Sequence, residues 1–323
     1  MQLPGALAAA LDQILDGASQ DELRSASTRL STRYRAETRD GMLHLSDEKA
    51  GLAYLAARMP ATFAALRAAM ERVAEGLPDF TPRTLLDCGA GPGTALWAAE
   101  DCWLELERAE LWEASGPIRT LGNKLAQTGS VAHVEWRAGD ITRDLAPRAK
   151  ADLVTLSYVL DELEPPTRDG LIDRLWEATA GVLLVVEPGT PAGWQRILAV
   201  RGQLIAKGAA LVAPCPHREP CPIIAPDWCH FAQRVSRSRT HRLTKGAEVP
   251  WEDEKYIYLA ATRLNVPMPQ ARIVGPARTG SGKVALKLCR NSGVLEERLV
   301  TRREGEAFKQ ARRADWGGPF PAS

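Results

Sequence analysis

The residues best placed to do chemistry begin with Asp87-Cys88-Gly89-Ala90-Gly91-Pro92-Gly93-Thr94, which follow the apolar stretch Thr84-Leu85-Leu86. An acid and three alternating glycines after a short apolar strand, with a helix opening at Ala95, form the strand–turn–helix entrance of a nucleotide-binding α/β domain. Glycine is needed because backbone must approach a ligand closely, at φ values that a Cβ penalises. The spacing excludes two familiar ligand loops. A dinucleotide fingerprint has its third glycine where Thr94 stands, and the Gly-Lys-Ser/Thr of a phosphate loop does not follow.

A second group lies far along the chain. Cys215, Cys221 and Cys229 fall in residues 213–229, together with five prolines. Such a segment has little means of forming a helix or a central strand. A metal centre would order it. Cys289, at the end of a strand expected over 284–288, is the candidate for a fourth ligand. The spacing C-x5-C-x7-C-x59-C lacks the close cysteine pair usual in structural zinc sites. Four thiolates on loose spacing suit a [4Fe–4S] cluster. Zinc remains open as the alternative, with His217, His230 or His241 replacing one cysteine, as does a segment without metal. Cys88 and Cys102 read as small core residues.

The loop Asp87–Gly93 resembles motif I of the class I S-adenosylmethionine (SAM) methyltransferases. The resemblance implies that Asp87, Gly89, Gly91 and Gly93 wrap the methionine part of SAM. Glu113 ends the second strand, twenty residues after Gly93, where an acid can accept hydrogen bonds from both ribose hydroxyls. Asp140 stands where that family often places an acid beside the adenine amino group. The fourth strand, 152–158, should point its carboxyl end at the ligand crevice. That makes Ser157, Tyr158, Asp161 and Glu162 candidate lining, with Tyr158, Asp161 and Glu162 as the catalytic candidates. The N/D-P-P-Y signature of amino-group methyltransferases is absent there, as is a Pro-Cys nucleophile for cytosine carbon.

Beyond the cysteines, residues 231–245 hold Arg234, Arg237, Arg239, Arg242 and Lys245 and no acid. Interleaved Ser and Thr hydroxyls suit phosphate contacts, so this stretch reads as an RNA contact.

These residues must be positioned by an alternation of strands and helices over 81–206, which predicts a parallel sheet. Leu7, Leu11, Ile14 and Leu15, then Leu52, Leu55, Met59, Phe63, Leu66 and Met70, recur at helical spacing. The expected division is a helical N-terminal region at 1–80, a SAM-binding core at 81–206 and a Cys-rich, basic insertion at 207–255. The end of the core at 256–301 and a basic tail at 302–323 complete it. An amphipathic helix is expected from Glu252 through Leu259. Strands at 271–274 and 283–288 are expected to pair as the reversed finish of the core sheet, with a further strand at 295–301.

The 323 residues carry net charge +1, with 45% hydrophobic and 25% charged residues, ordinary for a globular protein. Any basic surface must therefore be local. No apolar run reaches the roughly 18–20 residues that a membrane helix needs. The first twenty residues hold no Lys or Arg, so a signal or transit peptide is not expected. A cytoplasmic, bacterial-type monomer with reduced cysteines is the expectation.

The composite P-C-P-H-x3-P-C-P, D-W-C-H-F, R-S-R-x-H-R and E-D-E-K-Y-x-Y-L resembles one family: the methyltransferase-like proteins of the mitochondrial small ribosomal subunit and their bacterial relatives. Residues 53–62, 86–94, 157–163 and 186–190 are similar to that family as well. The resemblance implies a class I SAM methyltransferase (Rossmann-like) fold and a [4Fe–4S] cluster on Cys215, Cys221, Cys229 and Cys289. It also implies binding to small-subunit rRNA, as an rRNA methyltransferase-like protein in assembly or translation. The alternative is a non-catalytic iron–sulfur assembly factor on a methyltransferase scaffold.

Overall fold

The computed structural model describes residues 1–36 and 44–321. Parts of the expected N-terminal region (37–43) and basic tail (322–323) lie outside the described residues. In chain order the elements are α1 Gly5–Leu15, α2 Gln20–Ala36, α3 Glu48–Ala57, α4 Met59–Gly76, β1 Thr84–Cys88, α5 Thr94–Cys102, β2 Arg108–Glu113 and α6 Gly116–Ala126. Next come β3 His133–Ala138, β4 Ala151–Ser157, a 3-10 turn Leu160–Glu162, α7 Pro165–Ala178, β5 Thr179–Pro188, α8 Pro191–Ala206, β6 Ala210–Ala213, β7 Phe231–Ser236 and α9 Arg239–Lys245. The chain closes with β8 Trp251–Thr262, β9 Ala271–Ile273, β10 Arg278–Gly280, β11 Lys283–Arg290, β12 Leu295–Thr301, α10 Glu306–Arg312 and β13 Pro319–Phe320.

The chain packs as two units. One comprises residues 1–70, 81–186 and 233–254; the other 71–80, 187–232 and 255–323. The insertion expected at 207–255 is therefore divided, with its cysteines in the second unit and its basic segment in the first. Within the first unit, α9 packs against α2 and α3.

In the first unit the strands run in the order β3-β2-β1-β4-β5. All four pairings are parallel, with Thr84 opposite Arg108 and Asp87 opposite Thr155. This is the doubly wound, Rossmann-like order, which reverses between β1 and β4. β4 and β5 are buried along nearly their whole length, including Val154, Leu156 and Leu183 to Val186. That is why they read as continuous apolar runs rather than alternating ones. Asp47 caps α3 by accepting from the Ala50 amide at 2.8 Å. Pro60 sits in the first turn of α4, where its missing N–H costs nothing.

In the second unit β6 pairs antiparallel with β8. A five-stranded sheet runs β10-β11-β9-β13, with β12 also on β11. Its core is Ile273, Val284, Leu286, Leu288, Val300, Phe308 and Phe320. The strands expected at 271–274 and 283–288 do pair, Leu288 opposite Ile273. They belong to this separate sheet, and the antiparallel partner of β6 is β8. The helix expected from Glu252 to Leu259 is strand β8 instead. Residues 251–255 alternate in exposure and 256–262 are all buried, a strand pattern that the leading acids disguised as a helix start. The tail docks through Trp316, whose ring lies 5.1 Å from His230 and 6.2 Å from Phe231. Among the described residues, no helix is long and apolar enough to cross a membrane.

The Glu187-Pro188-Gly189-Thr190 segment turns β5 into α8. Thr190 caps the helix by accepting from the Gly193 amide. A Cβ at Gly193 would run into the Pro188 carbonyl oxygen, whereas one at Gly202 in the same helix meets nothing. Gly193→Ala is therefore expected to cost about 1–3 kcal/mol through overpacking. Gly202→Ala should be neutral or stabilising. Thermal midpoints of the two variants beside the parent check this; equal midpoints would contradict the packing described.

Candidate functional sites

The carboxyl ends of β1, β2, β3 and β4 enclose a cavity of about 540 Å³ in the first unit, within the size range of small-molecule pockets. Its floor is the glycine turn. Gly89, Gly91 and Gly93 have φ of +69°, +53° and +86°, the left-handed region that favours glycine. A Cβ on Gly89 would also stand 2.5 Å from Val159 Cγ2. Gly93 forms the N-cap of α5.

Asp87 lines this cavity and is buried. Its Oδ1 accepts from the Thr155 hydroxyl at 2.7 Å across the β1–β4 junction. Its Oδ2 is buried with no protein partner. Burial, with Glu113 adding to it and the Thr155 hydrogen bond opposing, pushes the Asp87 carboxyl up to about 7. Glu113 accepts from the Gly91 amide at 2.9 Å and the Ser115 amide at 2.8 Å. Burial raises its pKa and those two bonds hold it back. Asp140 accepts from the Thr142 amide and hydroxyl, at 2.8 and 2.6 Å, and pairs with Arg143 at 3.2 Å. Against the desolvation of its site, these partners hold its carboxyl below the usual range. Asp87, Gly89, Gly91, Glu113 and Asp140 thus share one cavity, while Gly93 supports it from the helix cap.

Tyr158 and Glu162 line the same cavity. Asp161 is buried in the 3-10 turn and does not. Tyr158 has φ +59°, a strained conformation for a bulky residue. Its hydroxyl donates to Glu254 at 3.2 Å, and Glu254 pairs with Arg58 at 3.6 Å. Arg58 lies over the Tyr34 ring at 5.9 Å. Burial, then the Glu254 charge, holds the Tyr158 phenol well above its ordinary value, so it remains protonated. Sequence reasoning did not assign Tyr34, Tyr54, Arg58, Thr155 or Glu254 to the site. The signal for Thr155 was its place on β4 beside β1; Glu254 comes from a strand remote in sequence.

In the second unit Cys215, Cys221, Cys229 and Cys289 line one small cavity of about 30 Å³, together with Trp194, Arg201, His217 and Tyr258. The four cysteines, spread over 75 residues of sequence, are thus brought to one place. Cys229 and Cys289 are buried. Burial, reinforced by the neighbouring cysteines, raises the Cys229 thiol well above its ordinary value and Cys289 to about 12. His217 Nε2 lies 3.2 Å from Cys289 Sγ. Among the described residues, no three His, Cys, Asp or Glu side chains stand in ion-gripping geometry. The donor chemistry nevertheless fits a soft centre: four sulfurs, apolar walls and no carboxylate.

The basic segment is not free of counter-charge, as its own composition implied. Arg234 makes a two-pronged pair with Asp253, at 2.8 and 3.0 Å. Glu252 accepts from Arg237 at 2.8 Å and from Lys245 at 2.6 Å, and lies 3.2 Å from His241. The acids lie just beyond the segment and fold back as β8 pairs with β7. Arg239 is exposed and Arg242 half-buried.

Comparisons with known proteins give the site its context. A family model described as "Mitochondrial small ribosomal subunit Rsm22" matches residues 48–321. The chain belongs to this family. It is 29% identical over 293 residues to the human "Ribosome assembly protein METTL17, mitochondrial", covering 85% of this chain and 63% of that protein. It is 24% identical over 322 residues to the Schizosaccharomyces pombe "Rsm22-cox11 tandem protein 2, mitochondrial", covering 84% of this chain and 43% of that one. The chain thus spans less than two thirds of the length of these relatives. A magnesium protoporphyrin IX methyltransferase from Synechocystis with bound SAM is a similar solved structure, with TM-score 0.42, 12% identity and 81% and 98% of the two chains covered. The N-methyltransferase NodS from Bradyrhizobium japonicum gives TM-score 0.40 and 14% identity, over 61% and 93%. The cytoplasmic, bacterial-type expectation is overturned, because the Rsm22 family and these relatives are mitochondrial.

The raised Asp87 pKa fixes a pH dependence. Between about pH 4, where an unfolded Asp ionises, and about 7 in the folded protein, the folded state holds the extra proton. Stability therefore falls as pH rises through that window. Asp87→Asn keeps an acceptor for Thr155 and removes the charging cost. Its thermal midpoint relative to the parent is expected to be higher at pH 8 than at pH 5. An equal difference at both pH values would contradict a buried, neutralised Asp87.

Proposed function

We propose that this chain acts in assembly of the mitochondrial small ribosomal subunit, as a methyltransferase-like protein that binds SAM in the first unit and a metal centre in the second. The observation that carries the proposal is the Rsm22 family match over residues 48–321, whose human relative is named a ribosome assembly protein. The first cavity supports the choice of ligand. Asp87, Glu113 and Asp140 line it beside the glycine turn. Carboxyl acceptors at the ends of successive strands suit a ligand that offers hydroxyl and amino donors rather than phosphate oxygens. In this reading Gly89 and Gly91 offer backbone to the methionine part, Glu113 accepts from the ribose, and Asp140 stands by the adenine.

Catalysis is the weaker half of the methyltransferase description. When bound, SAM supplies an electrophilic methyl group. This chain's residues would supply positioning, since Tyr158 is held protonated by burial and committed to Glu254. Methyl transfer to rRNA stands as the second reading, favoured by Tyr158 and Glu162 at the cavity wall. RNA contact would fall to Arg239 and Arg242, with Arg234, Arg237 and Lys245 holding the segment through their acids.

Cys215, Cys221, Cys229 and Cys289 would hold the metal centre. A thiolate set without carboxylates selects zinc or an iron–sulfur cluster, and the cluster is our choice. It would supply the cross-link that the proline-rich segment lacks.

Two variants separate these roles. Gly91→Arg places a side chain at the cavity wall where a Cβ meets nothing; its left-handed φ costs on the order of 1–2 kcal/mol, so the protein is expected to fold with a lowered thermal midpoint and to lose SAM binding by calorimetry. Cys221→Ser is expected to lose the roughly four irons and four sulfides of a [4Fe–4S] cluster and, with them, support of small-subunit assembly in cells. If Gly91→Arg supports assembly, the role is non-catalytic. If it fails, and SAM-dependent methyl incorporation into small-subunit rRNA is found with the parent protein alone, the enzyme reading takes its place. Assembly intact in Cys221→Ser would overturn the structural part assigned to the metal centre.

A further inference from the structure

The four-cysteine cavity contains two groups that the metal reading does not use, His217 and Arg201. His217 is 2% exposed, and its Nε2 is 3.2 Å from Cys289 Sγ. Arg201, 5% exposed, reaches from α8 into the loop between Cys215 and Cys221. Its Nη2 donates to the carbonyls of His217 at 2.8 Å and Glu219 at 2.7 Å. A guanidinium in a helix thus fixes the backbone that carries the imidazole, and the imidazole meets the one cysteine that comes from a distant strand, β11.

With Cys289 as a thiol, either partner can donate in this contact. A thiolate bound to metal has no proton, so it can only accept, and His217 must then carry its proton on Nε2. We propose that His217 is the hydrogen-bond donor to the Cys289 thiolate of the bound centre, and that this bond sets how readily the centre accepts an electron. The inference rests on the cluster reading given above. The step is a one-electron reduction of a [4Fe–4S] cluster from the 2+ to the 1+ state by an external reductant, dithionite in the test. No bond is formed or broken. Reduction adds negative charge to the cluster and its sulfur ligands, and an N–H donor at sulfur stabilises the reduced state, raising the potential. Arg201 is a positioning residue here: it holds the His217 carbonyl and brings a buried positive charge to the same wall.

The test compares anaerobically purified parent protein, His217→Leu and His217→Gln by iron and sulfide content and by a dithionite titration followed by absorbance. Gln places an N–H at about the reach of Nε2; Leu fills space without a donor. The expected result is equal iron and sulfide in all three, a more negative midpoint for Leu, and a midpoint returned towards the parent for Gln. Loss of the cluster from Leu but not from Gln also supports the donor role. Equal loading with one common midpoint overturns the inference and leaves the cluster reading intact, as does loss from both variants. Parent protein without iron and sulfide overturns the cluster reading and this inference with it.

Discussion

A single hydrogen bond lies at the point on which the first unit turns. Thr155 on β4 donates to Asp87 on β1 at 2.7 Å, joining the two strands where the sheet order reverses. Strands wound in opposite directions from that point leave a crevice above their carboxyl ends. The price of the arrangement is a carboxyl buried in low dielectric, which resists ionisation. One of its oxygens is satisfied by Thr155, and the other faces a cavity with nothing from the protein to meet it. Everything above is built around that pair: the left-handed glycine turn follows Asp87 directly, and Glu113 on the next strand over accepts from the middle glycine.

Much of this unit was legible in the sequence because its signals are local. Thr84 to Cys88 announces β1 through a short apolar run ended by glycines, and its observed bounds agree. The positive φ of Gly89, Gly91 and Gly93 is what a glycine run at a tight turn permits. Glu113 and Asp140 fall at strand ends by simple counting along a βαβ repeat. The other residues around the cavity were not legible in the same way. Tyr34 and Tyr54 sit in helices whose periodicity says only that they are amphipathic, and Glu254 arrives from β8. Non-local pairing places them, and no spacing rule encodes it.

The basic segment shows how composition misleads when a window is cut at the wrong place. Residues 231–245 contain five cations and no acid, but Glu252 and Asp253 are only a few residues further on. The turn after α9 brings them back as β8 pairs with β7, and Glu252 then serves Arg237 and Lys245 at once. Partly buried and multiply donated to, its carboxyl is held well below the ordinary range. The same two acids, read forward, resembled a helix start. Both errors have one cause: the acids belong to a strand whose partner precedes them. The affinity for phosphate that five unpaired cations would give must therefore be discounted to the few that remain on the surface.

The cysteine segment is the opposite case, in which a weak local signal concealed a strong spatial one. Its prolines forbid regular structure, and its cysteine spacing matches no standard zinc or ferredoxin run, so periodicity and the standard metal motifs both failed, while the family resemblance pointed to four ligands. What remained was an argument about order: a chain that cannot make ladders needs another cross-link. The structure brings Cys215, Cys221, Cys229 and Cys289 to one small cavity. It also adds Arg201, which sequence could not connect to the sulfurs because α8 and the proline segment show no shared pattern, and sets His217, read from sequence as a possible replacement ligand, beside Cys289. Apolar walls alone would leave a thiolate centre with uncompensated negative charge, which is costly in low dielectric. In the proposed centre, the Arg201 guanidinium and a His217 donor on the same wall would lower that cost. Burial pushes the Cys221, Cys229 and Cys289 thiols up, toward neutrality, so charged sulfur in the proposed centre would depend on the metal it holds and on that cationic wall.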